Sequence, residues 1–277
     1  PDAPLEMMEL YASGFTEIEA MNDVLGVTVE AFQKGFVEWA RADATSWGML
    51  PSPSLDEIRL DATMRDPESR EKSAEELADI ATSFARRSSG RAGRLVSTVD
   101  LVPVNDARVD EWLKDHPDHP DLLELSIEAA LRRNDGKPGT AMIPMLERYA
   151  AARPVDPMPH KHLASLYLDG DDPSRAVPHL EYLDAREQYK PVYAAELARR
   201  YADEKRWDEA MDKATRAVRI APYDGNYREL AATIAIRRGD LDEAEHHVET
   251  LTQLEPTIPQ HDKRLEAIRA MRSHRGN

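Results

Sequence analysis

Histidine is the residue type in this sequence with the clearest capacity to bind a metal. His160 and His162 are two residues apart, a spacing that places them on different faces of a helix. Glu243 and His247 are four apart and would share a helix face, but such a site in a helical protein needs matching ligands from other helices. The sequence offers no such ligands in register. We therefore expect no metal site and interpret the histidines as exposed or hydrogen-bonded.

Residue patterns that support covalent catalysis are also absent from the sequence. There is no cysteine, which excludes thiol nucleophiles, disulfides and thiolate metal sites. There is no Gly-x-Ser-x-Gly turn to present a nucleophilic serine. Paired carboxylates are numerous, but they cluster as solvent-facing charges on predicted helices. We predict no catalytic residue, no cofactor and no enzymatic activity for this chain.

The acidic composition argues against a nucleic-acid partner. The 277 residues include 36 Lys and Arg against 52 Asp and Glu, a net charge of −16, whereas binding to phosphate backbones needs clustered positive charge. The one compact basic stretch, Arg86, Arg87, Arg91 and Arg94, lacks the Gly-Lys-Ser/Thr ending of a phosphate-binding loop. We interpret it as a mobile loop. The alternative is a contact for an acidic partner or for the acidic residues 1–60.

No segment of the sequence has the character of a membrane span. No run of 18 or more apolar residues exists, so we predict none. The chain begins at Pro1 without a basic-then-apolar leader, so we predict no targeting segment in it and expect a piece of a longer protein. With 41% hydrophobic and 32% charged residues, it has the composition of a folded chain.

A 34-residue period organises the second half of the chain. Ala176, Ala210 and Ala244 are 34 apart, and so are Pro222 and Pro256. A period of this length is typical of stacked pairs of helices that form an extended surface. Small residues let two antiparallel helices approach closely, and proline ends the second helix of a pair. The spacing predicts four units, at residues 123–156, 157–190, 191–224 and 225–258.

The fold class predicted from this period is all-α, an α–α superhelical solenoid. The clearest unit, the third, carries the residues Leu197, Ala198, Tyr201, Trp207, Ala210, Ala217 and Pro222. Their types and spacing resemble the tetratricopeptide repeat family. The second unit departs from the family pattern at Gln188, where the closing proline belongs. The resemblance implies a protein-interaction scaffold in which the first helix of each unit lines a concave groove.

The resemblance also places nine residues of this sequence along the groove, three from each of the last three units. They are Lys161, His162, Ser165, Glu196, Arg199, Asp203, Glu229, Thr233 and Arg237. Their mixed charge suits a protein or peptide of either sign. The family's best-known groove holds the free carboxylate of a chaperone tail with polar donors, but here Ile127, Leu131 and Ala195 occupy the equivalent positions. A chaperone-tail function is therefore not expected.

Two further segments flank the four units. Residues 68–122 are predicted to be a degenerate unit, with a first helix over residues 74–85 and a second helix that contains Trp112 and Leu113. Residues 259–277 are predicted to be the polar capping helix that an open solenoid needs. Its apolar face would consist of Leu265, Ile268 and Met271.

Residues 1–45 carry three helical patterns of a different kind. Gly14 and Gly26 mark the turns between them. Thr16 and Thr28 are suited to cap the helices that follow, because a threonine side chain can accept a hydrogen bond from an amide of the first turn. We expect a small set of helices outside the register of the repeats.

The order of residues between Met8 and Trp39 resembles the last helices of gluzincin-type peptidase domains that precede tetratricopeptide arrays in some bacterial proteins. In that family a zinc-binding His-Glu-x-x-His helix lies further upstream, and this sequence contains none. The resemblance implies that residues 1–45 are the end of such a domain and that residues 46–67 are a linker.

The sequence supports three hypotheses about function. The leading one is a non-enzymatic scaffold that binds a protein or peptide, of unknown identity, in the concave groove. The alternative is the accessory carboxyl-terminal portion of a larger zinc metallopeptidase-like protein whose catalytic part is absent from this chain. The third is a structural spacer or self-associating unit. The types of the predicted groove residues do not distinguish among these three hypotheses.

Overall fold

The structure is a computed structural model that describes residues 3–65 and 101–275. Within these ranges all regular secondary structure is helical, which confirms the all-α prediction. The chain divides into two compact units, one formed by Pro1–Ser126 with Ala152–Val155 and the other by Ile127–Ala151 with Asp156–Asn277. Each helix in the described part of the chain is too short or too polar to cross a bilayer.

The first unit begins with three helices: α1 (Ala3–Ala12), α2 (Glu17–Leu25) and α3 (Val29–Ser46). The predicted caps are present. Thr16 Oγ1 accepts a hydrogen bond from the amide of Glu19 at 3.3 Å, and a carboxylate oxygen of Glu19 accepts one from the Thr16 amide at 2.8 Å. Thr28 Oγ1 accepts from the amide of Ala31 at 3.2 Å. The three helical patterns and both turns are confirmed.

Helix α4 (Leu55–Arg65) occupies half of the segment predicted to be a linker, residues 46–67. The segment is packed rather than extended, because Ile58 of α4 is buried in an apolar cluster with Val102 and Trp112. A readable signal was present in the sequence. Ser54 and Glu57 form a reciprocal capping box, with the Ser54 amide 2.7 Å from a Glu57 carboxylate oxygen and the Glu57 amide 3.3 Å from Ser54 Oγ.

The second described range opens with two helices, α5 (Asp106–Asp115) and α6 (Pro120–Arg133). Helix α5 confirms a helix around Trp112, which is buried, and Leu113, which is half-buried. The predicted partner helix over residues 74–85 lies outside the described residues, as do Arg86, Arg87, Arg91 and Arg94. Pro120 opens α6, where its fixed φ and missing N–H are tolerated.

The helices that follow are α7 (Ile143–Ala152), α8 (Pro157–Leu168), α9 (Val177–Arg186), α10 (Pro191–Asp203), α11 (Trp207–Ile220), α12 (Gly225–Arg238), α13 (Leu241–Leu254) and α14 (Pro259–Arg275). Helices α8 to α14 lie wholly in the second unit. Short 3₁₀ turns, Thr140–Met142 and Pro173–Ala176, lead into α7 and α9. Helices α8, α10, α12 and α14 begin at intervals of one repeat period. Helix α14 therefore starts where the first helix of a further repeat would start.

Consecutive helices from α8 to α14 pack side by side, and α10 also contacts α12. The periodic alanines Ala176, Ala210 and Ala244 are all fully buried, as expected for small residues between closely packed helices. A second periodic contact joins one pair of helices to the next. Tyr167 donates a hydrogen bond to Glu147 at 2.7 Å, and Tyr201, one repeat period later, donates to Glu181 at 2.5 Å.

The helix ends follow the same register. Helices α11 and α13 each end two residues before a predicted stop, Pro222 and Pro256. Helix α9 ends two residues before Gln188, so this end does not require the proline. Helix α14 buries Ile268 as predicted, but Met271 is 42% exposed and does not belong to the buried face.

Candidate functional site

The nine predicted groove residues lie on the first helices of three successive pairs, three each on α8, α10 and α12. All of them are half-buried or exposed. Because these helices start in the same register and α10 contacts α12, the first helices stand in a row and form one wall of the solenoid. We call this surface the first-helix wall.

At the α8 end of the wall, Lys161 is neutralised by a carboxylate. Its Nζ lies 2.7 Å from Glu187 Oε1, while the other carboxylate oxygen of Glu187 meets Lys190 Nζ at 2.7 Å and the Tyr193 hydroxyl at 2.9 Å. Hydrogen bonds from Lys161, and then from Lys190, lower the pKa of Glu187 to about 2. Burial lowers the pKa of the neighbouring His162, with the charge of Lys161 as the second cause.

Along α10 the charges are paired within the helix itself. Arg199 forms an ion pair with Glu196. The third predicted residue, Asp203, lies 3.2 Å from Arg200. A ligand that uses any of these charges must therefore compete with a partner that is already present. This pairing reduces the electrostatic potential at the surface of α10, in the middle of the wall.

On α12 the predicted residues contact Arg264, which was not among the nine residues predicted from the sequence. Arg264 of α14 donates a hydrogen bond to Thr233 Oγ1 at 2.7 Å and lies 3.3 Å from a carboxylate oxygen of Glu229. Helix α14 therefore extends the wall as a fourth first helix. The signal for Arg264 was its helix start at Pro259, which is in register with the starts of α8, α10 and α12.

Arg237 differs from the other predicted cations of the wall. It is exposed and forms no ion pair with any side chain in residues 3–65 or 101–275. It stands in the last turn of α12, where a positive charge also suits the helix dipole. Of the nine predicted residues, it is the cation best placed to meet an incoming ligand.

The positions that a carboxylate clamp would need are apolar. Ile127 and Ala195 are fully buried, and Leu131 is half-buried. None of the three can donate a side-chain hydrogen bond. That this wall does not hold a chaperone tail in the manner of the family's best-known groove stays a prediction.

Two of the histidines contact each other on neighbouring helices. His160 of α8 and His179 of α9 face each other with 3.1 Å between their Nδ1 atoms, and Tyr182 stacks on His160 with ring centres 3.8 Å apart. His247 is buried, with its Nε2 3.2 Å from Glu243 Oε1. Among the residues that the structure describes, no three histidine or carboxylate side chains are grouped to hold a metal.

Two exposed tyrosines repeat in the register of the solenoid and were missed at the sequence level. Tyr189 and Tyr223 each stand two residues before a first helix, and they are 71% and 83% exposed. Their spacing of 34 could have identified them, because an aromatic side chain that recurs outside the packed positions of a repeat is not needed for its core.

The described helices define the class of this molecule: an all-α solenoid of tetratricopeptide-like helix pairs. No protein-family model matches the sequence, and no curated protein matches it either.

Partial likenesses exist among solved structures. A crystal structure of MamA is 16% identical with a TM-score of 0.42, over 54% of this chain and 80% of that one. MamA from Desulfovibrio magneticus RS-1 is 18% identical with a TM-score of 0.41, over 55% and 84%. TTC0263, a thermophilic TPR protein of Thermus thermophilus, is 16% identical with a TM-score of 0.36, over 58% and 87%. The fold assignment rests on the chain's own register and packing.

Proposed function

We propose that this chain is a non-enzymatic interaction module that binds a protein or an extended peptide along the first-helix wall. The observation that carries the proposal is the common register of α8, α10, α12 and α14, whose starts are separated by one repeat period each. A repeat of this kind produces an extended surface rather than an enclosed pocket. The polar side chains of that surface are half-buried or exposed, so they can contact a ligand.

The charge pattern of the wall favours short-range recognition. Lys161 and Arg199 are paired with Glu187 and Glu196, so long-range attraction of a ligand is weak. Hydrogen bonds and shape then decide which ligand fits. Arg237 is the exception, because it is exposed and has no ion pair with a described side chain. We expect it to contribute directly to a contact with an acidic or carbonyl group.

The test is affinity capture with the immobilised full chain, comparing Arg237→Glu with Arg219→Glu. Arg219 is the matched control, because it is exposed, forms no ion pair with a described side chain and lies on the second helix α11. We expect Arg237→Glu to lose a partner that wild type and Arg219→Glu both retain. Arg199→Glu is a less direct probe, since it also places two glutamates side by side on α10.

The outcome against the proposal is equally specific. If the partner is captured equally by wild type, Arg199→Glu and Arg237→Glu, then the first-helix wall is not the binding surface. Circular dichroism of each variant verifies that the helices are intact, so that a lost contact is not mistaken for a lost fold.

The remaining sequence hypotheses stay predictions. These are the four unit boundaries, the absence of a nucleic-acid partner, self-association, and the resemblance of residues 1–45 to the end of a peptidase domain. The peptidase hypothesis is tested most directly by the sequence of the parent protein. A parent without a His-Glu-x-x-His helix upstream would leave that hypothesis without a catalytic mechanism.

A further inference from the structure

Four tyrosines are concentrated where two neighbouring repeats begin. Tyr189 and Tyr223 are one repeat period apart and stand just before α10 and α12, and Tyr193 and Tyr227 are equally spaced, in the first turns of the same helices. We call these four residues the tyrosine edge. Tyrosine presents a large apolar ring and a hydroxyl at low conformational cost, so exposed tyrosines are effective contact residues.

The inner tyrosines are held in place by the protein. Tyr193 donates a hydrogen bond to Glu187 at 2.9 Å, and Tyr227 packs against the buried alanine cluster that contains Ala194 and Ala195. Both are half-buried. They provide a fixed floor at the start of each of the two helices.

The outer tyrosines are available. Tyr223 is 83% exposed, and its hydroxyl has no hydrogen-bond partner within the described ranges. Tyr189 is 71% exposed, with Lys190 Nζ 5.8 Å from its ring centre. The same Nζ lies 5.9 Å from the ring centre of Tyr193, so Lys190 joins the outer and inner rings into one patch. The patch combines aromatic faces with hydrogen-bond donors.

The spacing expected for the edge is close to the pitch of one extended conformation. Helices α10 and α12 are in contact, and packed helices lie about 8–10 Å apart, so equivalent residues of the two repeats are separated by about that distance. A polyproline II helix advances about 3.1 Å per residue with three residues per turn, hence about 9 Å per turn. Prolines three residues apart would therefore meet successive repeats of the edge.

The hydrogen-bond donors and aromatic rings of the tyrosine edge also suit a polyproline II segment. A proline-rich segment has no backbone N–H at its prolines and makes no internal hydrogen bonds, so its carbonyls need donors. The hydroxyls of Tyr189 and Tyr223 and the ammonium of Lys190 can supply them. Aromatic-lined surfaces are a recurring site for such segments, because the polyproline II form loses little entropy on binding.

We propose that the tyrosine edge binds a proline-rich segment in the polyproline II conformation, with prolines three residues apart seated on Tyr189 and Tyr223. The proposal rests on the proposed function, since it also treats the chain as a peptide-binding module. It uses other residues, because none of the four tyrosines belongs to the nine predicted residues of the first-helix wall, although Tyr193 shares Glu187 with Lys161.

The test is fluorescence anisotropy of the full chain with a labelled oligoproline of about nine residues, long enough for three turns. A Gly-Ser peptide of the same length is the control ligand. Tyr189→Ala and Tyr223→Ala remove exposed rings, and Tyr11→Ala, which removes a tyrosine that is 42% exposed on α1, is the control variant. We expect saturable binding of oligoproline that each edge variant weakens about tenfold and that Tyr11→Ala leaves unchanged.

Three results would overturn the inference: no saturable binding of oligoproline, equal binding of the Gly-Ser peptide, or unchanged affinity in the double variant Tyr189→Ala, Tyr223→Ala. The Arg237→Glu variant separates this inference from the proposed function. If partner capture depends on Arg237 and oligoproline does not bind, the tyrosine-edge inference is wrong and the proposed function of the first-helix wall is retained. If oligoproline binding depends on the tyrosines and Arg237→Glu does not affect capture, the tyrosine-edge inference is retained and the proposed function of the first-helix wall is wrong.

Discussion

The Nδ1 atoms of His160 and His179 lie 3.1 Å apart, so one imidazole must donate a proton and the other must accept it. Burial, and then the proximity of His179, lower the pKa of His160 from 6.5 to about 4. Burial also lowers the pKa of His179. Asp156 and Glu147 favour the charged forms of His160 and His179 respectively, but they do not reverse the shift.

Acid should therefore destabilise the contact between α8 and α9. Below pH 6.5 the unfolded chain binds protons that the folded histidines do not, so the free energy of unfolding falls as pH falls, down to about pH 4 for His160. We expect His160→Gln to make the pH dependence of the free energy of unfolding, measured by urea denaturation, shallower by up to about 1.4 kcal/mol per pH unit.

The control for this prediction is His274→Gln, which removes an exposed histidine near the end of α14. Unfolding should be followed by circular dichroism at several pH values between 4 and 7. An identical slope in wild type and His160→Gln would show that the histidine pair does not couple folding to pH.

Asp184 is a buried carboxylate that joins the second helices of two neighbouring repeats. It is 4% exposed, and it meets Lys213 Nζ at 2.7 Å and Arg216 Nε at 2.8 Å, both on α11. Asp184→Ala would leave two cations facing each other without their common partner. Because each cation keeps about a quarter of its side chain exposed, we expect a loss of about 2–3 kcal/mol in the free energy of unfolding.

Asp208→Ala is the matched control for Asp184. Asp208 also pairs with an arginine, Arg238, at 2.8 Å, but its side chain is 85% exposed. An exposed ion pair contributes at most about 1 kcal/mol. Urea unfolding of the two variants should separate them clearly, and equal losses would mean that Asp184 is no more than a surface contact.

Gly48 is a glycine that the backbone geometry requires. Its φ is +70°, and a Cβ at this position would overlap the carbonyl oxygen of Ala152. Gly26 also has a positive φ, +65°, but a Cβ there would have nothing within 4 Å. We expect Gly26→Ala to cost about 1 kcal/mol from the backbone alone and Gly48→Ala to cost distinctly more.

Thermal unfolding monitored by circular dichroism compares the two glycine variants directly. The carbonyl of Gly48 also lies 3.4 Å from a guanidinium nitrogen of Arg153, which is paired with Asp121 and Glu124, so a shift of Gly48 would disturb that network. Equal melting temperatures for Gly26→Ala and Gly48→Ala would contradict the close approach to Ala152.

The solenoid could be predicted because its determinants are local and periodic. A small residue such as Ala210 is needed wherever two helices cross closely, and the period of these residues fixes where each pair begins. The end of α9 before Gln188 shows that the register does not depend on every signature residue. The signal is distributed over the repeat, so one substitution does not hide it.

Contacts between distant residues could not be predicted in the same way. Helix α4 is packed because Ile58 meets Val102 and Trp112, which lie far along the chain. The pairing of Arg264 with Glu229 and Thr233 depends on side-chain conformations across two helices. The register assigns a residue to the wall, but it does not tell whether a neighbour has already neutralised its charge.

Two charged residues of α14 occupy positions at which the earlier first helices carry buried residues. The positions that hold Ala164, Ala198 and Ala232 in the earlier first helices are buried, and Glu266 stands at the equivalent position of α14. Likewise, Arg269 takes the position that Ala235 and Tyr201, both buried, hold one and two repeat periods earlier. Arg269 instead lies 2.7 Å from Glu245 of α13. A face that would bury a further helix is thus charged.

Replacing these two charged residues of α14 with the residue types of the earlier repeats should cause the chain to self-associate through α14. The double variant Glu266→Ala, Arg269→Tyr exposes a small residue and an aromatic ring in the arrangement that receives a second helix, and the apolar face can be buried only against another copy. We expect a concentration-dependent increase in mass by sedimentation, relative to wild type. Glu266→Gln, Arg269→Lys keeps the face polar and should behave as wild type, whereas no difference between the two double variants would show that these charges do not cap the solenoid.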